Sequence, residues 1–303
     1  MNPIVGIGEV LWDVYPDGHK VAGGAPFNFA FHCHQLGHDA VIVSRVGDDE
    51  LGRELRARVR ELGLSDEYIQ TDYEHPTGTV QVTLDANAVP TYTITENVAW
   101  DHIAWDEKLS ALSRGARAVC FGSLAQRSSK TRDTIRRVAP GPMTFAGPKA
   151  PLYLFDVNLR PPHYDRTIIE DSLRRCDWAK LNHDELFELV DLIPLAHFDE
   201  EYPAAELRAT YNFGLVCVTR GPEGAFLTTA EELFHEPGVP AQVVDTVGAG
   251  DAFTAAMVCL HLEGKSLREC ARFAVHYAAR VCEQPGGTPR VARAEVERAA
   301  FGT

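Results

Sequence analysis

Short runs of apolar, β-branched and aromatic residues alternate with amphipathic stretches along this whole chain, and that rhythm limits the folds open to it. Residues 4–10, 40–46, 117–121, 152–157, 178–181 and 215–219 read as buried strands. Helical patterns occupy 48–62, 128–138, 167–176, 183–192 and 204–212, the first of them closed by Gly63. Such alternation predicts an α/β fold with a mostly parallel sheet covered by helices on both faces. The 303 residues fit one large α/β domain with an appendage as well as two domains. The Pro- and Gly-rich stretch 140–151 reads as a loop and not as an interdomain linker, so the expectation is a single domain over 1–303.

One stretch breaks the rhythm. Val80, Val82 and Leu84 alternate with Thr79, Gln81 and Thr83, a turn follows over 85–90, and a second extended run covers 91–95. This is a half-exposed antiparallel hairpin set into an α/β framework. A sheet edge, a lid and a surface that pairs with a second copy of the chain all remain open for it.

Charge narrows the partners. The net charge is −14, with 29 basic against 43 acidic side chains, which disfavours a nucleic-acid partner. No run of eighteen apolar residues offers a membrane span. The amino-terminal residues lack a basic stretch and read as an immediate first strand, not a signal peptide. Seven dispersed cysteines without a C-x-x-C pair suggest buried free thiols in a reducing compartment, and hence a cytoplasmic location.

The strongest local signal is Asp245-Thr246-Val247-Gly248-Ala249-Gly250-Asp251-Ala252-Phe253, opening an amphipathic helix that runs to about Glu263. Small residues at a helix start leave backbone N–H groups open, and the helix dipole adds to their pull on an anion. Asp251 would repel a phosphate but can accept the proton of a hydroxyl that attacks one. No G-x-x-x-x-G-K-[ST] occurs, and Gly6-Ile7-Gly8 lacks the third glycine of a dinucleotide fingerprint, so P-loop and nicotinamide enzymes are disfavoured. Gly23-Gly24-Ala25-Pro26-Phe27-Asn28-Phe29-Ala30 starts a second helix whose glycine pair lets backbone approach a polar ligand.

With these two segments, in order and near opposite ends, the chain resembles the phosphofructokinase-B family of carbohydrate kinases, the ribokinase-like group, and within it the bacterial fructokinases. The resemblance covers essentially the whole length. It implies a ribokinase-like three-layer sandwich with a small β lid drawn from about 15–22 and 77–97. It also implies ATP and Mg²⁺ as cofactors and a sugar as phosphoryl acceptor.

The resemblance assigns roles residue by residue. Asp251 would be the catalytic base, and Gly248, Ala249 and Gly250 the anion hole. Asp13, Gly24, Asn28 and Asn97 would hold the sugar. Asp156-Val157-Asn158-Leu159-Arg160 matches the family's D-x-N-x-R, placing Arg160 over sugar and phosphoryl group; a surface ion pair with Asp156 or Asp165 is the alternative. Asn182 and Glu185 match an N-x-x-E that organises Mg²⁺ through water, while the same spacing also makes a helix capping box. Thr219, Gly221 and Gly224 would line the nucleotide, with adenine against the helix of His276 and the loop Pro285-Gly286-Gly287. Asp245 is a candidate ligand for K⁺ or another monovalent cation.

Fructose leads as substrate because Glu96-Asn97-Val98-Ala99-Trp100-Asp101 and Phe121-Gly122-Ser123-Leu124-Ala125-Gln126-Arg127 look like fructokinase loops. A kinase for another sugar, a 2-keto sugar acid or a nucleoside is the alternative, and a non-catalytic sugar-binding regulator is a further one. The hairpin makes a homodimer a candidate assembly. His32-Cys33-His34 does not converge as a metal site on a helix, and Asp48-Asp49-Glu50 and Asp199-Glu200-Glu201 read as solvated helix-start charge.

Overall fold

The apolar runs form the middle of one large sheet in a computed structural model that describes residues 2–84, 90–141, 150–193 and 203–302. Strands β1 (Ile4–Ile7), β4 (Ala40–Gly47), β5 (Ile69–Asp72), β8 (Ala118–Phe121), β9 (Leu152–Asp156), β10 (Trp178–Asn182) and β11 (Leu215–Thr219) run parallel. A hairpin of β12 (Gly224–Thr228) and β13 (Leu233–Pro237) continues the sheet antiparallel at one edge. The order is β13-β12-β11-β10-β9-β8-β1-β4-β5. That edge hairpin has no counterpart in the periodicity reading.

Successive side chains of each strand feed opposite cores, as the pleat requires. Val5, Ile7, Val119, Phe121, Tyr153 and Phe155 pack under α3 (Glu107–Gly115), α4 (Ser129–Val138), α5 (Arg166–Leu173), α6 (His183–Leu192) and α7 (Pro203–Tyr211). Ile4, Ala118, Cys120 and Leu154 face α1 (Ala25–Gln35), α8 (Ala249–Leu262), α9 (Leu267–Cys282) and α10 (Arg293–Phe301). The expected three layers follow from this division. Within the large sheet's reading the helix bounds shift by only a few residues, and 183–192 and 215–219 are unchanged.

The first apolar run is the instructive departure. It reads as one strand over 4–10, yet β1 ends at Ile7 and a new strand, β2 (Leu11–Val14), starts a second sheet. A side chain at Gly8, which has φ +149°, would come within 2.8 Å of Pro26 in the first turn of α1, so close helix packing and the chain break share one cause. Asp13 therefore sits on a strand of the second sheet. The second sheet has the order β3-β2-β6-β7, with β3 (Lys20–Gly23), β6 (Thr79–Leu84) and β7 (Pro90–Ile94). The strand expected over 15–22 is thus a turn followed by β3, whereas the hairpin is present; its turn at 85–89 lies outside the described residues, as do 142–149 of the expected loop and the acidic run at 199–201.

Asp49 is more than solvated charge. It caps α2 (Glu50–Glu61) by accepting from Gly52 N at 2.7 Å, and it also receives Thr77 N at 2.8 Å and Thr77 Oγ1 at 2.6 Å. Thr77 begins the approach to β6, so this carboxylate ties a helix cap to the root of the second sheet. Asp49→Ala should lower stability by about 1–2 kcal/mol, the usual worth of a lost cap, read as a drop of a few degrees in Tm; an unchanged Tm would show the tie to be idle.

Candidate active site

In the large sheet β1 lies between β8 and β4, so the connections leave it in opposite directions and open a crevice at the carboxyl ends of the strands. Glu9, Ser123, Asp156, Arg160, Asn182 and Thr219 all lie at or just beyond those strand ends. The amino end of α8 meets them there.

That helix start is built for an anion. Gly248 holds the left-handed conformation at φ +75°, and no side chain caps α8. Helices α2, α3, α5, α6 and α9 are capped by Asp49, Asp106, Asp165, Asn182 and Ser266 respectively, whereas α1, α4 and α10 also start without a side-chain cap. An uncapped first turn leaves N–H groups with no intrahelical partner, here at Gly250 and Asp251, while Ala249 N–H bonds Thr246 O at 3.3 Å. Asp251 is held by the side chain of Asn28, whose Nδ2 donates to Oδ2 at 2.8 Å. Burial and then the Asp156 carboxylate push Asp251 up to about 7, against the opposing pull of Lys180, Asn28 and Arg160. A carboxyl poised near neutrality can take a proton at ordinary pH.

Asn28 is itself buried, one turn into α1, where its N–H bonds Gly24 O at 2.9 Å. A side chain at Gly24 would overlap the carbonyl of Glu9, and one at Gly287 would reach within 2.7 Å of Asn28. Gly287 is fixed from behind by His32. Its Nε2 must donate to the Gly287 carbonyl at 3.0 Å, so Nδ1 accepts from the Tyr277 hydroxyl at 3.0 Å. Burial holds His32 down at about 4, hence neutral. This histidine is a brace and no metal ligand, and its role was not visible in the sequence. The loop read as an adenine contact packs on Asn28 and Gly248 through Gly287, and Val21 of β3 lies 3.6 Å from where a Gly286 side chain would start.

Two buried charges also escaped the sequence reading. Lys180 of β10 reaches Asp156 Oδ1 at 3.1 Å, and Thr254 Oγ1 of α8 lies 3.0 Å from Asp156 Oδ2. Burial opposes the Lys180 charge, but Asp156, Glu185 and Asp251 outweigh it and hold the ammonium above the usual lysine range. Glu9 is 3% exposed with Oε2 lacking a partner among the described residues. Burial, joined by the Asp251 charge, raises it to about 7 despite its own amide and Arg160. A lysine inside an apolar strand and a glutamate beside a Gly-x-Gly were the available signals.

The remaining expected residues divide. Asp13 is raised to about 6 by burial, and Oδ2 lies over Gly23 with no hydrogen bond among the described residues, leaving it free to accept from a ligand. Arg160 is exposed and its guanidinium bonds Leu159 O at 2.9 Å with no other hydrogen bond among the described residues, while both expected ion-pair partners are engaged elsewhere, Asp156 by Lys180 and Asp165 as the α5 cap. Asn182, Thr219 and Gly221 do converge, lining one cleft of about 300 Å³ with His183 and Asp184. Gly224 is spoken for by packing, since a side chain there would overlap Glu236 O. His276, half-buried on α9, has Glu236, Arg280 and Arg272 around it.

No group of three or more His, Cys, Asp or Glu among the described residues could hold a metal on its own. Asn182 and Glu185 form a full capping box, and Glu185 accepts from Asn182 N at 2.8 Å and Leu159 N at 3.0 Å. Asp245 accepts from Val247 N at 3.0 Å and Gly286 N at 2.8 Å. No helix among the described residues is long and apolar enough to cross a membrane.

The pattern of pfkB family carbohydrate kinases matches residues 14–292. The chain belongs to this family. It is 30% identical over 267 residues to a fructokinase of Klebsiella pneumoniae, covering 83% of this chain and 82% of that one. A sugar kinase of Pyrococcus horikoshii is 28% identical over 95% of this chain and 93% of its own length. Its structure superposes with TM-score 0.82 over 98% of this chain and 97% of that one, and it has been solved in complex with ATP. An ATP-dependent 6-phosphofructokinase of Thermoanaerobacterium thermosaccharolyticum is 27% identical over 88% of this chain and 83% of that enzyme. The protein is thus an ATP-dependent carbohydrate kinase of ribokinase-like fold.

In this kinase the two loops that suggested fructose are occupied by packing. Arg127 clamps Asp101 through two bonds of 2.8 Å, donates to Thr95 O at 2.7 Å and stacks over Trp100. Gln126 bonds Gly122 O at 2.9 Å and Ser172 Oγ at 2.8 Å. Asn97 is exposed, bonds His102 Nε2 at 3.1 Å, and lines a cleft of about 460 Å³ with Arg127, His163 and Asp165. No contact joins Asn97 to Asp13, Asn28 or Asp251 among the described residues.

The two glycines of the kinase's anion nest should respond differently. A side chain at Gly248 would meet Gly287 backbone at 2.6 Å and require φ +75°, whereas at Gly250 it meets only the end of the Lys180 side chain, at 2.9 Å, without left-handed backbone. Gly248→Ala should therefore cost roughly 1–3 kcal/mol through left-handed strain and overlap, and Gly250→Ala less. Equal Tm values for the two variants would contradict this account.

Proposed function

We propose that this kinase transfers the γ-phosphoryl group of ATP to a primary hydroxyl of a sugar, with fructose the first candidate and Asp251 the base. One observation carries the proposal: a half-buried carboxyl held by Asn28 in the first turn of an uncapped helix. Asp251 takes the hydroxyl proton as the sugar oxygen bonds to the γ-phosphorus. The bond from that phosphorus to its bridging oxygen breaks, and ADP leaves. The N–H groups of the Gly248–Gly250 turn face the growing negative charge, and fixed donors in a dry site count for more than in water. Arg160, without a side-chain hydrogen-bond partner among the described residues, supplies a further cation. Asp13, Gly24 and Asn28 hold the sugar.

ATP fits the cleft of Asn182, Thr219 and Gly221. One carboxylate and one amide oxygen at Asn182 and Glu185 are too few to enclose Mg²⁺ but suit contact through its retained waters. Mg²⁺ would neutralise phosphate charge there. Asp245 is a candidate ligand for K⁺. The four-stranded sheet would close over the sugar and exclude water, and Tyr92, 52% exposed on β7, offers that sheet a place to pair with a second copy.

Another sugar or a sugar phosphate remains the second reading, because the relatives include a sugar kinase and a 6-phosphofructokinase beside the fructokinase. Mg-ATP-dependent ADP release should be measured against fructose, ribose, glucose, mannose, 2-keto-3-deoxygluconate, adenosine and fructose 6-phosphate. Fructose should lead the panel; a stronger response to another member keeps the chemistry and overturns the fructose assignment.

Asp251→Asn should reduce kcat by roughly 10²–10⁴-fold with ATP binding intact. Retained turnover would remove Asp251 from the chemistry. Because Asp251 acts ionised and sits at about 7, kcat/KM should rise as pH increases through that value and flatten above it. A profile already flat below pH 6 would contradict the assignment.

A further inference from the structure

We infer that Lys180 is a positioning residue for phosphoryl transfer: from beneath Gly250 its ammonium supports the anion nest and keeps the Asp251 carboxyl ionisable, through the Asp156–Thr254 bridge to α8. The inference rests on the reading of Asp251 as base.

Lys180 is 8% exposed and comes from the middle sheet, not from the nucleotide cleft. Its Nζ lies 3.1 Å from Asp156 Oδ1. The other oxygen of Asp156 is 3.0 Å from Thr254 Oγ1, and that hydroxyl is 2.9 Å from Gly250 O, one turn back along α8. A side chain at Gly250 would come within 2.9 Å of the same Nζ. The ammonium thus touches the helix start from its protein side, opposite the open face where a phosphate would arrive. Two effects follow from that place. Through-space attraction reaches any anion seated on the Gly250 and Asp251 N–H groups, in surroundings too dry to screen it. The hydrogen-bonded chain also fixes the angle at which those N–H groups point.

The groups facing Asp251 from each neighbouring element are Asn28 from α1, Asp156 from β9, Lys180 from β10, Arg160 beyond β9 and Glu9 beyond β1, with the Cys120 thiol of β8 nearby. Asp156 and Lys180 act on Asp251 with opposite sign. A purely structural pair would not separate them, since losing either partner loosens the same tie.

The test is a ¹³C NMR titration of protein labelled at aspartate carboxyls, with the Asp251 signal identified by its loss in Asp251→Asn. In Lys180→Met the Asp251 midpoint should rise by roughly one pH unit or more, and in Asp156→Asn it should fall. The acid limb of kcat/KM should move with it in each case, and KM for ATP should stay within about twofold, as expected of a group that does not touch the nucleotide. The double variant Lys180→Met/Asp156→Asn removes both charges together and guards against misfolding of the singles, which near-ultraviolet circular dichroism would reveal. It should leave Asp251 titrating near its wild-type midpoint yet lose roughly tenfold or more in kcat, because the cation beneath the nest is gone. Midpoints that move the same way in both single variants, or do not move, overturn the inference, as does a double variant with wild-type kcat. A wild-type enzyme silent on every sugar would count against Asp251 as base, while the titration would still decide what Lys180 does to it.

Discussion

A single buried ion pair holds the working end of this molecule together. Lys180 and Asp156 stand on adjacent parallel strands, and Thr254 joins them to α8. Removing one partner of such a pair leaves an uncompensated charge in the interior at a cost of about 3–5 kcal/mol. A domain has only about 5–15 kcal/mol of net stability, so this one contact is a large share of the whole. It also sets where the first turn of α8 lies relative to the strand ends, and every other feature of the site is arranged around that turn.

From that fixed turn the remaining contacts spread outward. Asn28 reaches across from α1 to Asp251, and Gly287 fills the space between Asn28 and Gly248. His32 and Tyr277 brace the Gly287 carbonyl from within the helical layer. Segments far apart in the chain thus meet with almost no spare volume, which explains glycine at 248 and 287 on steric grounds. The charges gathered there are mutually adjusting. Two carboxyls, Glu9 and Asp251, are raised to about 7 because burial, joined by the Asp251 charge at Glu9 and by the Asp156 charge at Asp251, outweighs the pull of Arg160 on both and of Lys180 on Asp251. Proton transfer at such a centre needs little further preparation.

Much of the architecture was legible because strand and helix periodicities report burial directly. The runs at 183–192 and 215–219 match their elements residue for residue, and the Gly248–Asp251 turn carries its chemistry in local sequence. What stayed hidden depends on contacts between distant segments. The break after Ile7 arises from Pro26 packing on Gly8, so no window around residue 8 reveals it. Lys180 looks like an interruption in an apolar strand until Asp156 lies beside it. Asp49 looks like one of several surface acids until Thr77 arrives. The loops containing Trp100, Asp101 and Arg127 show the same dependence: their distinctive residues hold one another in place across the fold.

The central claim is that the amino end of α8 receives the phosphate while Asp251 faces the acceptor. Amide hydrogen exchange across the whole chain, with and without Mg²⁺ and a non-hydrolysable ATP analogue, tests that location without requiring the sugar to be known. The account predicts slowed exchange at residues 246–252 and around 182–185 and 219–221. Unchanged exchange at 246–252, with protection appearing elsewhere in the chain, would contradict it.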